Sequence, residues 1–292
     1  MRKILFSGLW LILVLAGGAG AQSRDGIKVF ISVDMEGVTG VVNVDDASRS
    51  GKDYDYFRQT MTREANAAIE GALAAGATEI VVRDSHGSAL NLLPEMLNIN
   101  SKLIRDWSEG PMSMMEGIDA SYDAAVYVGY HARAGTPNGV LDHTSSGNVT
   151  DVSVNGISMP ETGYNALIAG HYGVPVVFVA GDKAVCDQAE ELLGNVETVA
   201  VKEGIGAAAL NLHPEVAREQ IREGVERALM NLDDYEPYKL RAPYTLVLTL
   251  KTEQNIYRGS MYPGAKRTGT WELTYVGDDV LEIMNAYRGM RR

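Results

Sequence analysis

Six acidic and imidazole side chains stand at the ends of apolar or helix-like segments of this 292-residue chain. They are Asp34, Glu36, His86, His131, His143 and Glu161. Carboxylate and imidazole ligands together suit zinc or a similar transition metal, whereas calcium takes oxygen ligands almost alone. If these side chains meet in the fold, the sequence predicts transition-metal chemistry.

The number of acids indicates how many metal ions such a site would hold. Several buried carboxylates without a cation would repel one another and lose their hydration at a large cost. Two acids and two imidazoles would serve one metal ion. Three acids with two or three imidazoles suggest two ions, about 3.5–4 Å apart, that share a bridging carboxylate. Asp34 and Glu36 are one residue apart, and alternate residues of an extended strand face the same side. We therefore expect both carboxylates to point from the strand into one site.

Apolar runs rich in β-branched residues alternate with helical patterns over most of the chain, which is typical of βαβ units. The pattern predicts an α/β fold, a three-layer αβα arrangement with a largely parallel central sheet and a β-rich C-terminal extension. Predicted strands cover 27–33, 78–83, 123–130 and 174–181; predicted helices cover 56–76 and 161–173, and a third begins at Pro214. The α/β core extends to about residue 235. The β-rich part, 242–292, contains two alternating strands, 242–252 and 270–277, and a closing helix from Asp279.

The predicted sheet explains why distant residues should meet. Active sites of open parallel sheets lie outside the carboxyl ends of the strands. Three of the five histidines follow predicted strand ends, together with the acids of the first strand. The other two do not join this set: His171 lies near a helix C-terminus and His213 just before a helix start, and we expect structural or surface roles for both.

The first 21 residues have the features of a secretory signal peptide. Two basic residues precede an apolar run, and Ala19-Gly20-Ala21 fits the small-residue cleavage rule. The alternative, a membrane anchor, is disfavoured because the run from Ile4 to Leu15 is about half the length of a bilayer span. We therefore expect cleavage near Ala21, a mature catalytic domain of residues 22–292, secretion or export to the periplasm, and no membrane association of the mature form.

Composition excludes some functions. The net charge of −12 has the wrong sign for a protein that binds nucleic acid through its phosphates. It suits small or cationic ligands and metal ions. Cys186 is the only cysteine, so no internal disulfide can form. It lies in a helix-like segment with no histidine close in sequence, and we expect it to be packed rather than nucleophilic.

Several short segments together resemble the motifs of the zinc-dependent D-aminopeptidases of the DppA type. In chain order they are "SVDMEGVTG", "DSHG", "PMSMMEGID", "VGYHARAGTP", "DHTSSG", "ETGYNA", "VAGD" and "PGAKRTGT". Their order and intervals agree with the family from about Lys28 to near the C-terminus. The sequence is thus similar to this family over almost the whole mature chain.

The resemblance implies an enzyme that removes N-terminal D-amino acids, notably D-Ala, from short peptides with two zinc ions per subunit. It also implies a homo-oligomer, a decameric ring in the family. Asp34 then corresponds to the bridging carboxylate, Glu36 and His131 to ligands of one zinc, and His86 and Glu161 to ligands of the other. His143 corresponds to the catalytic histidine. The chemistry leaves open whether His143 is the nucleophile or an acid/base, because a zinc pair already activates water near neutral pH.

This chain departs from the family pattern in four respects. Pro160 stands where a glycine is expected, Asp142 precedes His143, the loop between His131 and His143 is one residue longer at "TPNGV", and an export signal is present. Arg133 could bind a peptide carboxylate or form a structural ion pair. Two other functions remain open at this point: a dimetal hydrolase of L-peptides or phosphoesters, and a periplasmic solute-binding protein.

Overall fold

The structure of the protein is a computed structural model that describes residues 26–291. The predicted signal peptide, residues 1–21, lies outside this range and stays a prediction. Within residues 26–291, none of the helices combines the length and hydrophobicity that a bilayer span requires.

The elements follow one another as a βαβ chain with a β-rich end. The strands are β1 Ile27–Val33, β2 Ala77–Asp84, β3 Lys102–Ile104, β4 Ala124–Tyr130, β5 Val149–Val154, β6 Ile157–Ser158, β7 Val176–Asp182, β8 Glu197–Ile205, β9 Ala208–Asn211, β10 Tyr244–Leu250, β11 Lys266–Arg267 and β12 Glu272–Gly277. The helices are α1 Val44–Ala47, α2 Tyr54–Ala74, α3 Glu161–His171, α4 Lys183–Leu193, α5 Pro214–Met230, α6 Glu253–Ser260 and α7 Val280–Met290.

The central sheet has the strand order β3-β2-β1-β4-β7-β8-β9, and only β9 runs antiparallel to its neighbour. Helices α2 and α5 cover one face, where Ile69 and Val225 join the core around Ile31. Helices α3 and α4 cover the other face, where Leu167 and Val185 join a second core. Strands buried on both faces need the near-continuous apolar sequence seen in β4, and β1 departs from it only at Lys28 and at the buried, hydrogen-bonded Ser32. The predicted three-layer fold with a largely parallel sheet is confirmed.

A second, antiparallel sheet has the order β11-β12-β10-β5-β6. The two predicted C-terminal strands correspond to β10 and β12, and the predicted closing helix is α7. Strands β5 and β6, however, come from the middle of the chain, so the second sheet is not built by the C-terminal part alone. Helix α7 packs against this sheet through Ile283 and Met284 and continues into the core beside α3.

Candidate active site

The structure brings all six predicted residues together beyond the carboxyl ends of β1, β2 and β4. The contacts that join the cluster are His86 Nδ1 to Glu36 Oε2 at 2.9 Å, His86 Nδ1 to Asp34 Oδ1 at 3.3 Å, His131 Nε2 to Asp34 Oδ2 at 3.5 Å, His131 Nε2 to Glu161 Oε1 at 3.8 Å, His143 Nε2 to Glu161 Oε1 at 3.8 Å and His143 Nε2 to Glu36 Oε1 at 4.0 Å. Five of the six side chains are at most 12 % exposed, and His143 is 29 % exposed at the rim.

Asp34 and Glu36 reach the cluster by a different route from the predicted one. Strand β1 ends at Val33, and both acids lie in the bend that follows it, not on extended strand. The bend is fixed because Met35 is buried and its N–H donates to Asp34 Oδ1 at 2.8 Å. Gly37 then passes so close to β4 that a Cβ there would lie 1.8 Å from the carbonyl oxygen of Tyr130. The two acids thus converge through a tight turn that a larger residue at position 37 would disrupt.

His131 is oriented by an irregular end of β4. Gly129 has a φ of +71°, and a Cβ there would lie 2.2 Å from the carbonyl oxygen of Asp34. The Nδ1–H of His131 donates to the carbonyl of Ala132 at 2.9 Å. The ring therefore presents the lone pair of Nε2 to the acids, yet this buried atom has no hydrogen-bond partner among the described residues. A buried acceptor in that position is the form in which histidine binds metal.

His86 turns its other ring nitrogen, Nδ1, toward the acids, and this atom is within hydrogen-bond distance of Glu36 Oε2 at 2.9 Å. Its Nε2–H donates to the carbonyl of Ala47 at 2.8 Å, which leaves Nδ1 to face Asp34 and Glu36. The loop that carries His86 is shaped by Asp84, whose buried carboxylate accepts from the N–H groups of Asn91 and Leu92 at 2.6 and 2.7 Å. Asp84 is therefore a structural residue of the loop, and His86 is the ligand-like one.

Glu161 enters the cluster from the first turn of α3, where the helix dipole favours a negative charge. Pro160, the departure noted in the sequence, occupies the N-cap, a position that needs no backbone N–H, and its carbonyl accepts from Gly163. Glu161 Oε1 also accepts from the N–H of Ser145 at 2.6 Å. Proline at position 160 is thus compatible with the start of α3 and with a carboxylate that enters the cluster from its first turn.

His143 lies against His131, with the two rings nearly parallel and their centroids 4.1 Å apart. Its Nδ1–H donates to the carbonyl of Leu141 at 3.0 Å, so that the Nε2 lone pair faces Glu36 and Glu161. Leu141 and Ser145 both have left-handed backbone, with φ of +56° and +60°. Such non-glycine conformations cost about 1–3 kcal/mol each and are found at functional sites. The strained loop aims a partly exposed imidazole at the cluster.

Asp142 and Asp182 shape this loop without entering the cluster. Asp142 Oδ2 accepts from the N–H of Gly135 at 2.6 Å and so closes the longer "TPNGV" turn. Asp182 caps α4 and accepts from the N–H of Val140 at 2.9 Å. Asp142 and the longer "TPNGV" segment, the two departures from the family pattern near His143, thus belong to one loop.

The electrostatics of the cluster match a site built for cations. Burial, and then the charge of Glu36, raise the pKa of Asp34 to about 7. Burial opposes ionisation of Glu36, but the neighbouring imidazoles, His86 first, outweigh it and hold that pKa well below its usual value. Burial also opposes protonation of His131, yet the charges of Glu161 and Asp34 raise its pKa to about 9. The acids thus draw protons onto the imidazoles, and a divalent cation would satisfy the same charges.

These residues fit a metal centre in their chemistry and in their spacing. The site contains two sets of three ligand atoms, and the atoms of each set lie within 4.8 Å of one another. One set comes from Asp34, Glu36 and His131, and the other comes from His131, His143 and Glu161. Neutral imidazole lone pairs and buried carboxylates are the donors that zinc prefers.

Lys202 on β8 is a residue that sequence analysis missed. Its ammonium is buried and donates to the carbonyls of Glu36, Val38 and Val41, with 3.0 Å to the carbonyl of Val38. It therefore fixes the backbone that carries Glu36. No motif marks this lysine, because β8 was not predicted and the contact spans more than 160 positions of sequence.

Two cavities meet at the cluster, and Glu36, His86 and His143 line both. The first, of about 330 Å³, has Trp107, Arg288 and Arg291 in its wall. We call it the arginine cavity. The second, of about 720 Å³, has a more apolar wall that includes Val44 and Leu141, and we call it the apolar cavity. A substrate could therefore extend from the cluster in two directions.

The residues expected to be structural lie elsewhere. His213 caps α5 by accepting from the N–H of Glu215, and His171 lies 3.7 Å from Asp279. Cys186 is buried in α4, and burial raises the pKa of its thiol to about 12, so it is not a thiolate at neutral pH. Arg133 is not among the described residues that line either cavity.

A parallel α/β sheet with mixed carboxylate and imidazole ligands at its carboxyl edge is the architecture of a metal-dependent hydrolase. A family model described as D-aminopeptidase, that of the M55 peptidases, matches residues 27–289. The chain belongs to this family, and it is a metallo-aminopeptidase. The prediction from the sequence motifs is thereby confirmed, and a solute-binding protein is excluded.

Two findings from Bacillus subtilis agree with this. The D-aminopeptidase of strain 168 is 37 % identical over 264 residues, which cover 89 % of this chain and 95 % of that protein. A solved structure described as the Zn-dependent D-aminopeptidase DppA, a self-compartmentalizing protease, superposes with a TM-score of 0.87 at 35 % identity. It covers 90 % of this chain and 96 % of its own.

Proposed function

We propose that this protein is a dizinc aminopeptidase that removes N-terminal D-amino acids, of which D-alanine is one, from short peptides. The observation that carries the proposal is the convergence of three acids and three imidazoles in one site, with the buried Nε2 of His131 unpartnered among the described residues. Family membership supports the D-peptide substrate, and the zinc dependence stated for the Bacillus subtilis DppA structure supports the metal.

We keep the distribution of ligands over two metal positions that the family resemblance implies. Asp34 faces His86 with Oδ1 and His131 with Oδ2, as a bridging carboxylate would. Ligand atoms of Asp34, Glu36 and His131 lie within 4.8 Å of one another, which supports one zinc held by these three residues. We assign His86 and Glu161, together with the shared Asp34, to the other zinc.

A zinc pair held by these residues would supply Lewis-acid activation of the peptide carbonyl and of the attacking water. The protein contributes the proton transfer. His143 Nε2 carries a free lone pair at the rim of the cluster, because Nδ1–H is held by the carbonyl of Leu141. We assign to it the removal of a proton from the attacking water and the delivery of that proton to the leaving amine. The same lone pair would also allow His143 to act as a nucleophile. Beside a metal pair that activates water, however, a general base is sufficient for the reaction.

The first experiment measures zinc content and turnover together on the mature chain. Zinc-loaded enzyme should hold two ions per chain and hydrolyse D-Ala-D-Ala much faster than L-Ala-L-Ala or p-nitrophenyl phosphate. A chelator should abolish this turnover and zinc should restore it. Faster hydrolysis of the L-peptide or the phosphoester would assign the same metal site to another substrate class.

A pair of variants tests the ligand assignment by metal content alone. Asp34→Ala should lose both zinc ions, because it removes the shared ligand. Glu36→Ala should lose mainly the ion beside His131 and retain the other. Equal, unchanged zinc content in both variants would contradict the assignment.

We also propose that the mature enzyme is an exported homo-oligomer, a decameric ring. The self-compartmentalizing description of DppA supports assembly, and so does the β8–β9 hairpin, where Ile205 and Leu210 are each more than 60 % exposed. The signal-like segment 1–21 supports export to the periplasm or the medium. Light scattering of the mature chain would test the ring, and N-terminal sequencing of protein from fractionated cells would test cleavage near Ala21.

A further inference from the structure

The arginine cavity contains two basic residues in an otherwise acidic site. Helix α7 and the residue after it bring Arg288 and Arg291 to the same cavity wall as Glu161 and His143. A cation that faces a metal centre is unexpected unless it serves a negatively charged group, because zinc ions already carry the positive charge that the acids require.

The two arginines differ in their contacts with neighbouring side chains. Arg288 is held by Glu109, with 2.9 Å between Nη2 and the carboxylate. Arg291 has its guanidinium 5.5 Å from the ring centre of Tyr287, and its buried Nε has no hydrogen-bond partner among residues 26–291. A guanidinium has five N–H donors, and burying a donor without an acceptor has a cost. Arg291 thus lines the cavity with at least one guanidinium donor, Nε, that has no partner among these residues.

Short contacts link Arg291 to the metal cluster. The Tyr287 ring under its guanidinium donates from its hydroxyl to Ser145 Oγ at 2.6 Å. The N–H of Ser145 donates in turn to Glu161 Oε1 at 2.6 Å. Arg291 therefore lines the same cavity as the cluster and is linked to it through Tyr287 and Ser145. A cavity of about 330 Å³ is in the size range of small-ligand sites, so a short peptide is a ligand of suitable size.

We propose that Arg291 binds the C-terminal carboxylate of a short peptide whose N-terminal residue lies at the metal cluster. This inference rests on the proposed aminopeptidase function and adds to it a specificity for substrate length. An arginine binds a carboxylate through two parallel hydrogen bonds, which fix the orientation of the bound group. A peptide with a free carboxylate one residue beyond the scissile bond satisfies both ends of the site, whereas a longer or amidated peptide does not.

Arg49 is the rival anchor, since it lines the apolar cavity on the other side of His86. It is exposed, so water already solvates its charge, and an exposed ion pair contributes little. The cavity around it is also more than twice as large. We therefore assign the carboxylate to the arginine cavity, and the apolar cavity remains open to an uncharged part of the substrate.

The test compares D-Ala-D-Ala with its C-terminal amide on the zinc-loaded full chain. The wild type should show a kcat/KM for the free acid at least 10-fold above that for the amide. In Arg291→Gln the value for the acid should fall by about 10- to 100-fold, mostly through KM, and the value for the amide should fall far less. Arg291→Lys keeps the charge but loses the pair of parallel donors, so its kcat/KM for the acid should lie between the values of the wild type and Arg291→Gln.

Two matched variants control for charge. Arg258→Gln removes an exposed arginine from α6, away from both cavities, and should keep the wild-type preference for the acid. If Arg49→Gln abolishes the preference and Arg291→Gln does not, the carboxylate binds in the apolar cavity and the proposal is wrong. Equal rates for acid and amide in the wild type would also overturn it, while hydrolysis of both would leave the aminopeptidase function standing. A zinc-loaded chain that cleaves neither peptide would end both proposals.

Discussion

Replacement of Lys202 by methionine tests whether a residue outside the metal-binding cluster stabilises the geometry of that cluster. Methionine keeps an unbranched chain of similar volume in the buried site and removes only the ammonium. Three backbone carbonyls, those of Glu36, Val38 and Val41, then lose their donor in a site that water does not reach. The nearby acids Glu64 and Asp182 also lose the cation that attracts them.

The size of the effect follows from these losses. An acceptor left unpaired inside a protein costs about 1–3 kcal/mol, and removal of one member of a buried charged group costs about 3–5 kcal/mol. These two costs are not added together, because they describe the same contacts and because the loop can relax around the unpaired carbonyls. We expect Lys202→Met to lower the free energy of unfolding by about 3–5 kcal/mol, which is a fall in Tm of roughly 10 °C for a chain of this size.

The variant should also bind metal more weakly, since the backbone it releases carries Glu36. Loss of a group that orients a metal ligand typically lowers affinity about 10- to 100-fold. The zinc affected should be the one beside Glu36 and His131, whereas the ion beside His86 and Glu161 should be retained. Urea unfolding of the zinc-free protein measures stability, and competition with a chromogenic chelator measures zinc affinity.

Lys251→Met is the control, because Lys251 is an exposed lysine of the loop after β10. It should leave stability and zinc affinity within experimental error of the wild type. If Lys202→Met unfolds within about 1 kcal/mol of the wild type and binds both ions normally, then the three carbonyls do not depend on the ammonium and the reasoning is refuted.

Two further predictions concern His143 and Glu64. His143→Ala should lower kcat by about 10²- to 10⁴-fold and leave two zinc ions bound, as measured by metal analysis; loss of one ion would make His143 a ligand instead of an acid/base. Burial raises the pKa of Glu64 to about 7. A raised carboxyl pKa contributes stability that is present below the unfolded value of 4.5 and lost as the pH rises through 7. Glu64→Gln should therefore raise Tm relative to the wild type at pH 8 but not at pH 4, and an equal difference at both would contradict this assignment of the pKa.

The sheet and the ligand set were predictable from the sequence because both depend on local patterns. Buried parallel strands need continuous apolar runs, and their carboxyl ends meet at one edge, so Asp34, His86 and His131 could be grouped without knowing any distance. The geometry of Asp34 and Glu36 was not predictable in the same way. An apolar run does not reveal that the strand stops at Val33 and that the acids leave through a bend.

The supporting residues were missed for a different reason. Lys202 and Tyr287 act through contacts with residues more than 140 positions away, and no periodicity or short motif reports such a contact. Strand β5 was overlooked because its partner β10 lies nearly a hundred residues further along the chain, and β6, which pairs with β5, is only two residues long. Sequence patterns thus identify the groups that do chemistry better than the groups that hold them in place.

The contact between Tyr287 and Ser145 has a consequence for the order in which the enzyme is made. All the proposed metal ligands lie between Asp34 and Glu161, so they emerge from the ribosome well before α7. The wall of the arginine cavity and the hydroxyl that holds Ser145 arrive only when α7 has been synthesised and has docked. A chain whose α7 has not yet docked could therefore bring its metal-binding side chains together, but its peptide-binding site would lack the Tyr287 hydroxyl and Arg291.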